Sequence, residues 1–225
     1  MKGLAGKTIL GFAQLLVCLG VLLFAPAWSF DFWQAWTYLL IFVTASALIT
    51  AYLWTKNPQL LERRVNAGPG AEKDKSQKLI QTFASFVFMG LLILPSLDHR
   101  FLWSRMPRTF VIAGDALVAL GFLAVFLVFK RNSFAAGTIA VAAGQQVIAT
   151  GPYAIVRHPM YSGALVMLFG TPLALGSWWG TLMLIPMTVV IAVRLLYEEK
   201  FLQQRLPGYT EYCRKVRFRL VPFIW

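Results

Sequence analysis

Charged side chains are scarce in this sequence of 225 residues, since Asp, Glu, Lys and Arg together make up 13% of it. Soluble domains contain roughly 25% of such residues. A chain that is 58% hydrophobic therefore lacks the polar surface of a water-soluble globule, and its composition also excludes a disordered chain and a coiled coil. The sequence indicates an integral membrane protein, in which 8 Trp and 18 Phe suit aromatic belts at the interfaces.

Cysteine and histidine are also rare, with two residues of each. Cys18 lies in an apolar run and Cys213 in a basic tail, so neither a disulfide framework nor a redox pair is expected. We expect His99 to be solvated in a loop, which leaves His158 without companions for a metal site. Because phosphate-binding glycine loops are missing too, a nucleotide-like cofactor would have to bind at the membrane helices and their cytoplasmic edge.

Six apolar segments approach or reach the length of about 20 residues that a membrane-spanning helix needs. They are 9–28, 33–54, 79–97, 110–129, 160–176 and 178–193. The last two are short and are separated by Ser177 alone, which predicts a tight helical hairpin. The first exceeds the roughly 7–15 residues of a signal-peptide core, so we expect a retained helix. The predicted fold class is all-α integral membrane, with about six transmembrane helices and a cofactor pocket at the cytoplasmic edge.

Basic residues give the chain a net charge of +12, but they form short clusters between the apolar runs. Such clusters are typical of topology signals and of contacts with anionic headgroups, not of nucleic-acid binding. Eighteen of the 21 Lys and Arg residues lie at the N-terminus, in 55–78, in 130–158 or from Arg194 onward. The positive-inside rule predicts that these regions and both termini are cytoplasmic. Within 130–152, two β-branched stretches flank a turn at 143–145, which suggests a short β-ribbon.

The most unusual stretch is residues 151–163, with the sequence GPYAIVRHPMYSG. Pro159 fits the first turn of a helix, and free N–H groups there favour an anionic or polar ligand. Tyr153, Arg157 and Tyr161 are four residues apart, so any continuous helix would place them on one face. The alternative is an interfacial anchor, in which Arg and Tyr reach toward the headgroups.

A second cluster, Arg194 with Glu198 and Glu199, ends the last apolar segment. Arg194 and Glu198 have the i, i+4 spacing of a helical ion pair. Acids near a membrane are costly and often functional, so a cationic ligand or an Arg held for an anionic substrate would account for the cluster. A surface ion pair is the alternative. Asp115, inside the fourth segment, is expected to make an interfacial polar contact.

From Asn132 to the C-terminus, the sequence resembles the isoprenylcysteine carboxyl methyltransferase family and its bacterial relatives. The matching features are Gly-Pro-Tyr at 151–153, Arg-His-Pro-Met-Tyr at 157–161 with Gly163, Arg194 with Glu198 and Glu199, and Tyr209 to Tyr212 followed by Val216 and Pro222. We divide the chain accordingly into residues 1–110, transmembrane helices with little signature, and residues 111–225, a methyltransferase-like domain with a cytoplasmic tail.

The resemblance implies a multi-pass enzyme, in a bacterial inner membrane, that transfers a methyl group from S-adenosyl-L-methionine to a lipid or lipidated acceptor. A carboxylate would be the methylated group, with Arg194 as its anchor and Arg157 as a second catalytic residue. The implied cofactor contacts are Gln145, Gln146, Val147, Ile148, Tyr153, His158, Pro159, Met160, Tyr161, Glu198 and Glu199. Thr138 is a loose match to a further contact, and Gln145 replaces the histidine of eukaryotic relatives.

Three alternatives stay open at this point. A phospholipid N-methyltransferase would use the same cofactor on an amine. An NADPH-dependent membrane reductase of related architecture would need several basic groups for the 2′-phosphate, for which Arg157 and Arg131 are the well-placed residues. A non-enzymatic membrane accessory protein would use the Tyr-Arg-His-Tyr and Arg-Glu-Glu clusters as headgroup anchors.

Overall fold

The computed structural model describes residues 2–72 and 74–225, and within them all regular structure is helical. The helices are α1 (Lys2–Ala27), α2 (Trp33–Lys56), α3 (Pro58–Val65), α4 (Lys75–Phe101), α5 (Arg108–Arg131), α6 (Pro159–Ala174), α7 (Leu184–Arg205) and α8 (Tyr209–Lys215). Short 3-10 turns lie at Pro69–Ala71, Gly151–Ala154 and Trp179–Met183. The predicted all-α membrane fold is confirmed.

Five helices are long and apolar enough to cross a bilayer: α1, α2, α4, α5, and α7 together with the 3-10 turn before it. Large side chains such as Leu40 and Ile185 are 68% and 67% exposed on these helices, which suits lipid contact. The fifth apolar segment, 160–176, forms α6, whose 16 residues extend about 24 Å at a rise of about 1.5 Å per residue. It turns into α7 as the predicted hairpin.

Helices α5 and α6 approach each other through glycines. A Cβ on Gly121 would lie 2.7 Å from the carbonyl oxygen of Gly163, and one on Gly170 would lie 2.6 Å from that of Gly114. Such contacts are far closer than real Cβ atoms allow, so the backbones meet only because no side chains intervene. Although α6 is joined to α7 by a turn, it therefore lies most closely against α5.

A buried aspartate fastens the end of the bundle that carries the α4–α5 and α6–α7 connections. Asp98 accepts hydrogen bonds from the Ser104 amide (2.7 Å) and hydroxyl (2.6 Å) and from the Ser177 hydroxyl (2.5 Å). The solvated-loop prediction for His99 is wrong, because this residue lies in the last turn of α4 and its ring stacks on Phe32 at 4.1 Å between centroids. Because of this stacking and packing, the imidazole is only partly exposed.

The opposite end carries α3, the segment 132–158 and the C-terminal tail. The β-ribbon prediction is wrong, since the described backbone of 132–150 forms no strand. The expected turn is present, because the Gln145 amide donates to the Ala142 carbonyl (3.1 Å). Side chains serve as hydrogen-bond acceptors in place of a partner strand. Gln145 Oε1 accepts from the Ala142 amide (2.9 Å), and Glu72 accepts from the Ile139 amide (3.4 Å). Backbone groups satisfied in this way need no partner strand.

Candidate active site

A cleft opens where the segment 132–158, the start of α6 and the end of α7 meet. Its empty volume, which includes the space at its open mouth, is about 780 Å³. Eleven of the predicted site residues line it: Gln145, Gln146, Val147, Ile148, Tyr153, Arg157, His158, Pro159, Met160, Tyr161 and Glu198. The two that do not are Arg194 and Glu199.

The wall formed by residues 151–161 is not one helix. Gly151–Ala154 is a 3-10 turn, and α6 begins only at Pro159. The break has a local cause, because proline disfavours helical backbone in the residue before it, and His158 has φ −124° and ψ 63°. Tyr153, Arg157 and Tyr161 therefore do not share a helical face. They nevertheless line the same cleft, because the chain folds back to bring them together.

Tyr153 is fixed at both its hydroxyl and its backbone. Asn132 Nδ2 donates to the Tyr153 hydroxyl (2.7 Å), and the Tyr212 hydroxyl donates to the Tyr153 carbonyl (2.8 Å). Burial raises the pKa of Tyr153 to about 12, so its phenol stays neutral near pH 7 and keeps a proton to donate. This part of the cleft offers an aromatic face and a neutral hydroxyl.

Glu199 is the centre of a buried ion cluster beneath the cleft. It is 4% exposed, and its Oε1 lies 3.1 Å from Arg157 Nη1 and 3.3 Å from His158 Nε2. Its Oε2 lies 2.9 Å from Arg219 Nε. Because Arg157 is itself buried, each charge depends on the other for compensation. The geometry makes Glu199 a support for Arg157 and His158, which themselves face the cleft.

Glu198, one residue earlier, faces the cleft. Its Oε2 accepts a hydrogen bond from the Tyr161 hydroxyl (2.7 Å). Among the side chains of residues 3–72 and 74–225, no Lys, Arg or His nitrogen lies within 4.0 Å of this carboxylate. The direct Arg194–Glu198 ion pair expected from the i, i+4 spacing is therefore wrong. The two residues are instead bridged by Tyr161, whose hydroxyl accepts from Arg194 Nε at 3.2 Å.

Arg194 directs its remaining donors toward two residues of the N-terminal half and toward the backbone of the segment 132–158. Nη2 contacts Glu72 Oε1 (2.7 Å) and the Gly137 carbonyl (3.1 Å), and Nη1 donates to Gln77 Oε1 (3.2 Å). The Glu72 side chain is 2% exposed. Four of the five N–H donors of Arg194 are therefore used, and one of the four acceptors is a buried carboxylate that compensates its charge.

Several cleft residues carried no signal in the sequence. They are Asn132, Phe134, Ala135, Ala136, Ile139, Ala140, Leu202 and Leu206. Tyr209 and Tyr212, which are part of the family motif, also line the cleft, as does Thr138. Glu72 was missed because nothing in its surroundings marks it. Among the described residues, no group of three or more His, Cys, Asp or Glu side chains is placed to hold a metal.

For Asp115 on α5, the interfacial polar contact stays a prediction. Asp115 Oδ1 is buried and has no hydrogen-bond partner among the residues that the structure describes. The residue lies far along α5 from Arg131, the end near the cleft, so it does not belong to the candidate site.

Comparison with known proteins gives similarities of two kinds. Residues 109–207 match the family model for phospholipid methyltransferases. A curated relative, a Delta(14)-sterol reductase of Mus musculus, is 30% identical over 95 residues, which cover 39% of this chain. The match spans 22% of the length of that reductase. All thirteen predicted site residues lie within the stretch similar to phospholipid methyltransferases.

Proposed function

We propose that this protein transfers a methyl group from S-adenosyl-L-methionine to a lipid-like acceptor at the membrane surface. The observation that carries the proposal is the Glu198 carboxylate, which faces the cleft and has no ion-pair partner among the side chains that the structure describes. Of the acids around the site, Glu72 and Glu199 are compensated by arginines, whereas the Tyr161 hydroxyl is the one side-chain partner that the described residues give Glu198. A half-buried carboxylate of this kind suits a ligand with an ammonium group.

The side chains of the cleft fit the cofactor in charge. Bound there, S-adenosyl-L-methionine would supply a methyl group on a sulfonium, so the step needs little acid–base chemistry. Glu198 would bind its ammonium group, Tyr153 and Tyr161 would offer hydroxyls and aromatic faces, and residues 145–148 and 158–160 would enclose the rest. Glu199 would act as a positioning residue through Arg157 and His158. Holding two reactants at close distance then provides most of the acceleration.

The proposal for the methyl acceptor covers both the class of molecule and the chemical group that is methylated. The class is a lipid or lipidated molecule, because the cleft lies at the end of lipid-facing helices. The resemblance to isoprenylcysteine carboxyl methyltransferases favours a carboxylate, while the phospholipid methyltransferase match favours a phospholipid amine. Arg194, the expected carboxylate anchor, is already bound by Glu72. That contact argues for Arg194 as a positioning residue and weakens its assignment as the anchor.

We also propose that the cleft and both termini face the cytoplasm of a bacterial inner membrane. The regions with most of the Lys and Arg residues include α3, the segment 132–158 and the tail, which lie at the cleft end of the bundle. This distribution is what the positive-inside rule predicts for a cytoplasmic site.

A membrane reductase is the second candidate, since the similarity to a sterol reductase favours it. Such an enzyme would need free basic groups for the 2′-phosphate of NADPH. Arg157 is buried and bound to Glu199, and Arg131 Nε donates to the Thr150 hydroxyl (2.9 Å). Of the two arginines expected to bind this phosphate, Arg157 is thus held in an ion pair, which favours the methyltransferase.

Calorimetry on the purified protein in detergent tests the proposal, with S-adenosyl-L-methionine and NADPH titrated separately. We expect the first to bind and Glu198→Gln to weaken it by about 1.5–3 kcal/mol, the loss of a hydrogen bond to a charged group, or roughly ten- to a hundredfold in Kd. Glu211→Gln, which neutralises an exposed acid on α8, is the matched control. If NADPH binds and S-adenosyl-L-methionine does not, the methyltransferase proposal is wrong and the reductase is the supported function.

A further inference from the structure

A second cavity lies beside the cleft, between α1, α2, α5 and α6. Its empty volume to its open side is about 1440 Å³. The lining is mostly apolar and includes Phe12, Leu15, Ile49, Phe122, Val125 and Met167. Because these helices lie within the membrane, the groove is shaped to hold a hydrocarbon chain rather than a polar metabolite.

One charged residue, Arg64 at the end of α3, also lines this groove. Its Nη1 lies 3.8 Å from Met160 Sδ, and its Cζ lies 5.0 Å above the centre of the Phe129 ring. Within residues 2–72 and 74–225, no carboxylate lies within 4.0 Å of its guanidinium. A thioether sulfur and an aromatic face are weak partners for a cation.

Arg64 and Arg194 border the same residue but differ in their charge partners. Both guanidiniums border Gly137: Arg194 Nη2 donates to its carbonyl, and a Cβ built on Gly137 would lie 3.7 Å from Arg64 Nη1. Arg194 has a buried carboxylate partner, whereas Arg64 has none in the part of the chain that the structure describes. Burial lowers the pKa of Arg64 from its ordinary value. A guanidinium in this position is strongly stabilised by an oxyanion that supplies the missing acceptor.

We propose that the groove binds the apolar chain of a bilayer amphiphile and that Arg64 binds its anionic headgroup. Met160 lines both the groove and the cleft, so a headgroup at Arg64 is next to the candidate cofactor site. Resting on the proposed function, this amphiphile is the methyl acceptor. Its class is a lipid with an oxyanion, a carboxylate or a phosphate, at or beside the methylated atom.

The charge of the headgroup is tested with hexadecyl phosphate and hexadecanol, which share one chain. Native mass spectrometry of the detergent-solubilised protein gives their affinities, and inorganic phosphate shows whether the oxyanion alone suffices. We expect wild type to prefer hexadecyl phosphate by about tenfold or more, Arg64→Gln to lose this preference, and inorganic phosphate not to bind detectably. Arg63→Gln is the matched control, because it removes the same charge from α3 at a side chain that lies over Phe134, outside the groove.

The apolar part is tested by narrowing the groove. Gly11 on α1 lines it, and a Cβ there would meet no atom within 4 Å. Gly11→Phe should therefore weaken both probes by about tenfold without a clash. Gly20→Phe is the control, since Gly20 has the same open space on the same helix but does not line the groove. Equal affinities for the two variants would overturn the chain-binding role.

The results separate this site from the proposed function. If Arg64→Gln and Arg63→Gln keep the same preference for the phosphate, the headgroup site is wrong, whatever the cofactor result. If Arg64→Gln does not fold, Arg64→Lys keeps the charge without the planar fork and should lower the preference about threefold; an unchanged preference overturns the proposal. If the Arg64 effect is found but S-adenosyl-L-methionine does not bind wild type, the amphiphile site stands and the methyltransferase does not.

Discussion

Residues 1–110 and residues 111–225 contribute to the candidate site in different ways. The C-terminal half provides the cleft itself, including Tyr161 and Glu198, and it contains the stretch similar to phospholipid methyltransferases. The N-terminal half provides Glu72, which binds Arg194, and Arg64, which ends the apolar groove. Motifs therefore mark the side chains that face the cleft, while their counter-charges and the neighbouring groove come from helices without a motif.

The charged residues around the two cavities also differ in whether they form ion pairs. Glu199 and Glu72 are buried and compensated by Arg157 and Arg194, respectively. Glu198 and Arg64 are only half-buried and have no ion-pair partner within the described chain. A compensated buried pair holds the fold together, and an uncompensated charge beside a cavity is available to a ligand. The comparison thus yields one anionic and one cationic candidate subsite, from opposite halves.

The largest expected effect is all-or-none and concerns whether both halves meet at one membrane face. In a variant with Cys18 and Cys213 replaced by Ser, single cysteines are introduced at Ser76, Arg105 and Lys215, which are all exposed. We expect an impermeant maleimide to label the Arg105 site in intact cells and the other two only after permeabilisation. Labelling of the Ser76 site in intact cells would contradict the cytoplasmic assignment.

Glu199→Gln should have the largest effect on stability. It removes the charge that compensates buried Arg157 and also contacts His158 and Arg219. Breaking such a pair costs about 3–5 kcal/mol, and thermal unfolding in detergent would show a clear fall in Tm. Glu211→Gln is the control for the loss of an exposed acid. A Tm like that of the control would mean that the cluster is not needed for the fold.

Glu72→Gln should have a smaller effect, because Arg194 retains Gln77, Gly137 and Tyr161 as acceptors. We expect a loss of about 1–3 kcal/mol in the free energy of unfolding. Affinity for S-adenosyl-L-methionine should fall as well, since Arg194 orients Tyr161, which donates to Glu198. Glu62→Gln, an exposed acid on α3, is the matched control. Unchanged cofactor affinity would show that the N-terminal half acts on stability alone.

The helices and the cleft could be predicted to different extents. Apolar length alone located the helices, because a bilayer demands about 20 apolar residues per crossing. The motif at 151–161 correctly located one wall of the cleft, although Pro159 interrupts the continuous helix that the four-residue spacing suggested. The β-ribbon predicted around residues 143–145 was wrong. Backbone amides of this segment donate to the side chains of Gln145 and Glu72 instead of to a partner strand.

Neighbouring residues also proved hard to separate. Glu198 and Glu199 look equivalent in the sequence, yet one faces the cleft and the other lies in an ion cluster beneath it. Successive helical residues point about 100° apart, and the side that is covered depends on Arg157 and Arg219 from other segments. The division of the chain at residue 110 stays a prediction.

Composition, apolar length and local motifs were enough to define the membrane class, the long apolar helices and one wall of the cleft, since each depends on solvent preference or on neighbours in the chain. The tertiary structure decided which charged side chains form ion pairs with each other. Arg194 binds Glu72, 122 residues away, instead of Glu198 one turn along its own helix. Burial makes an unpaired charge costly, so the partner is whichever carboxylate the packing of distant helices brings within reach.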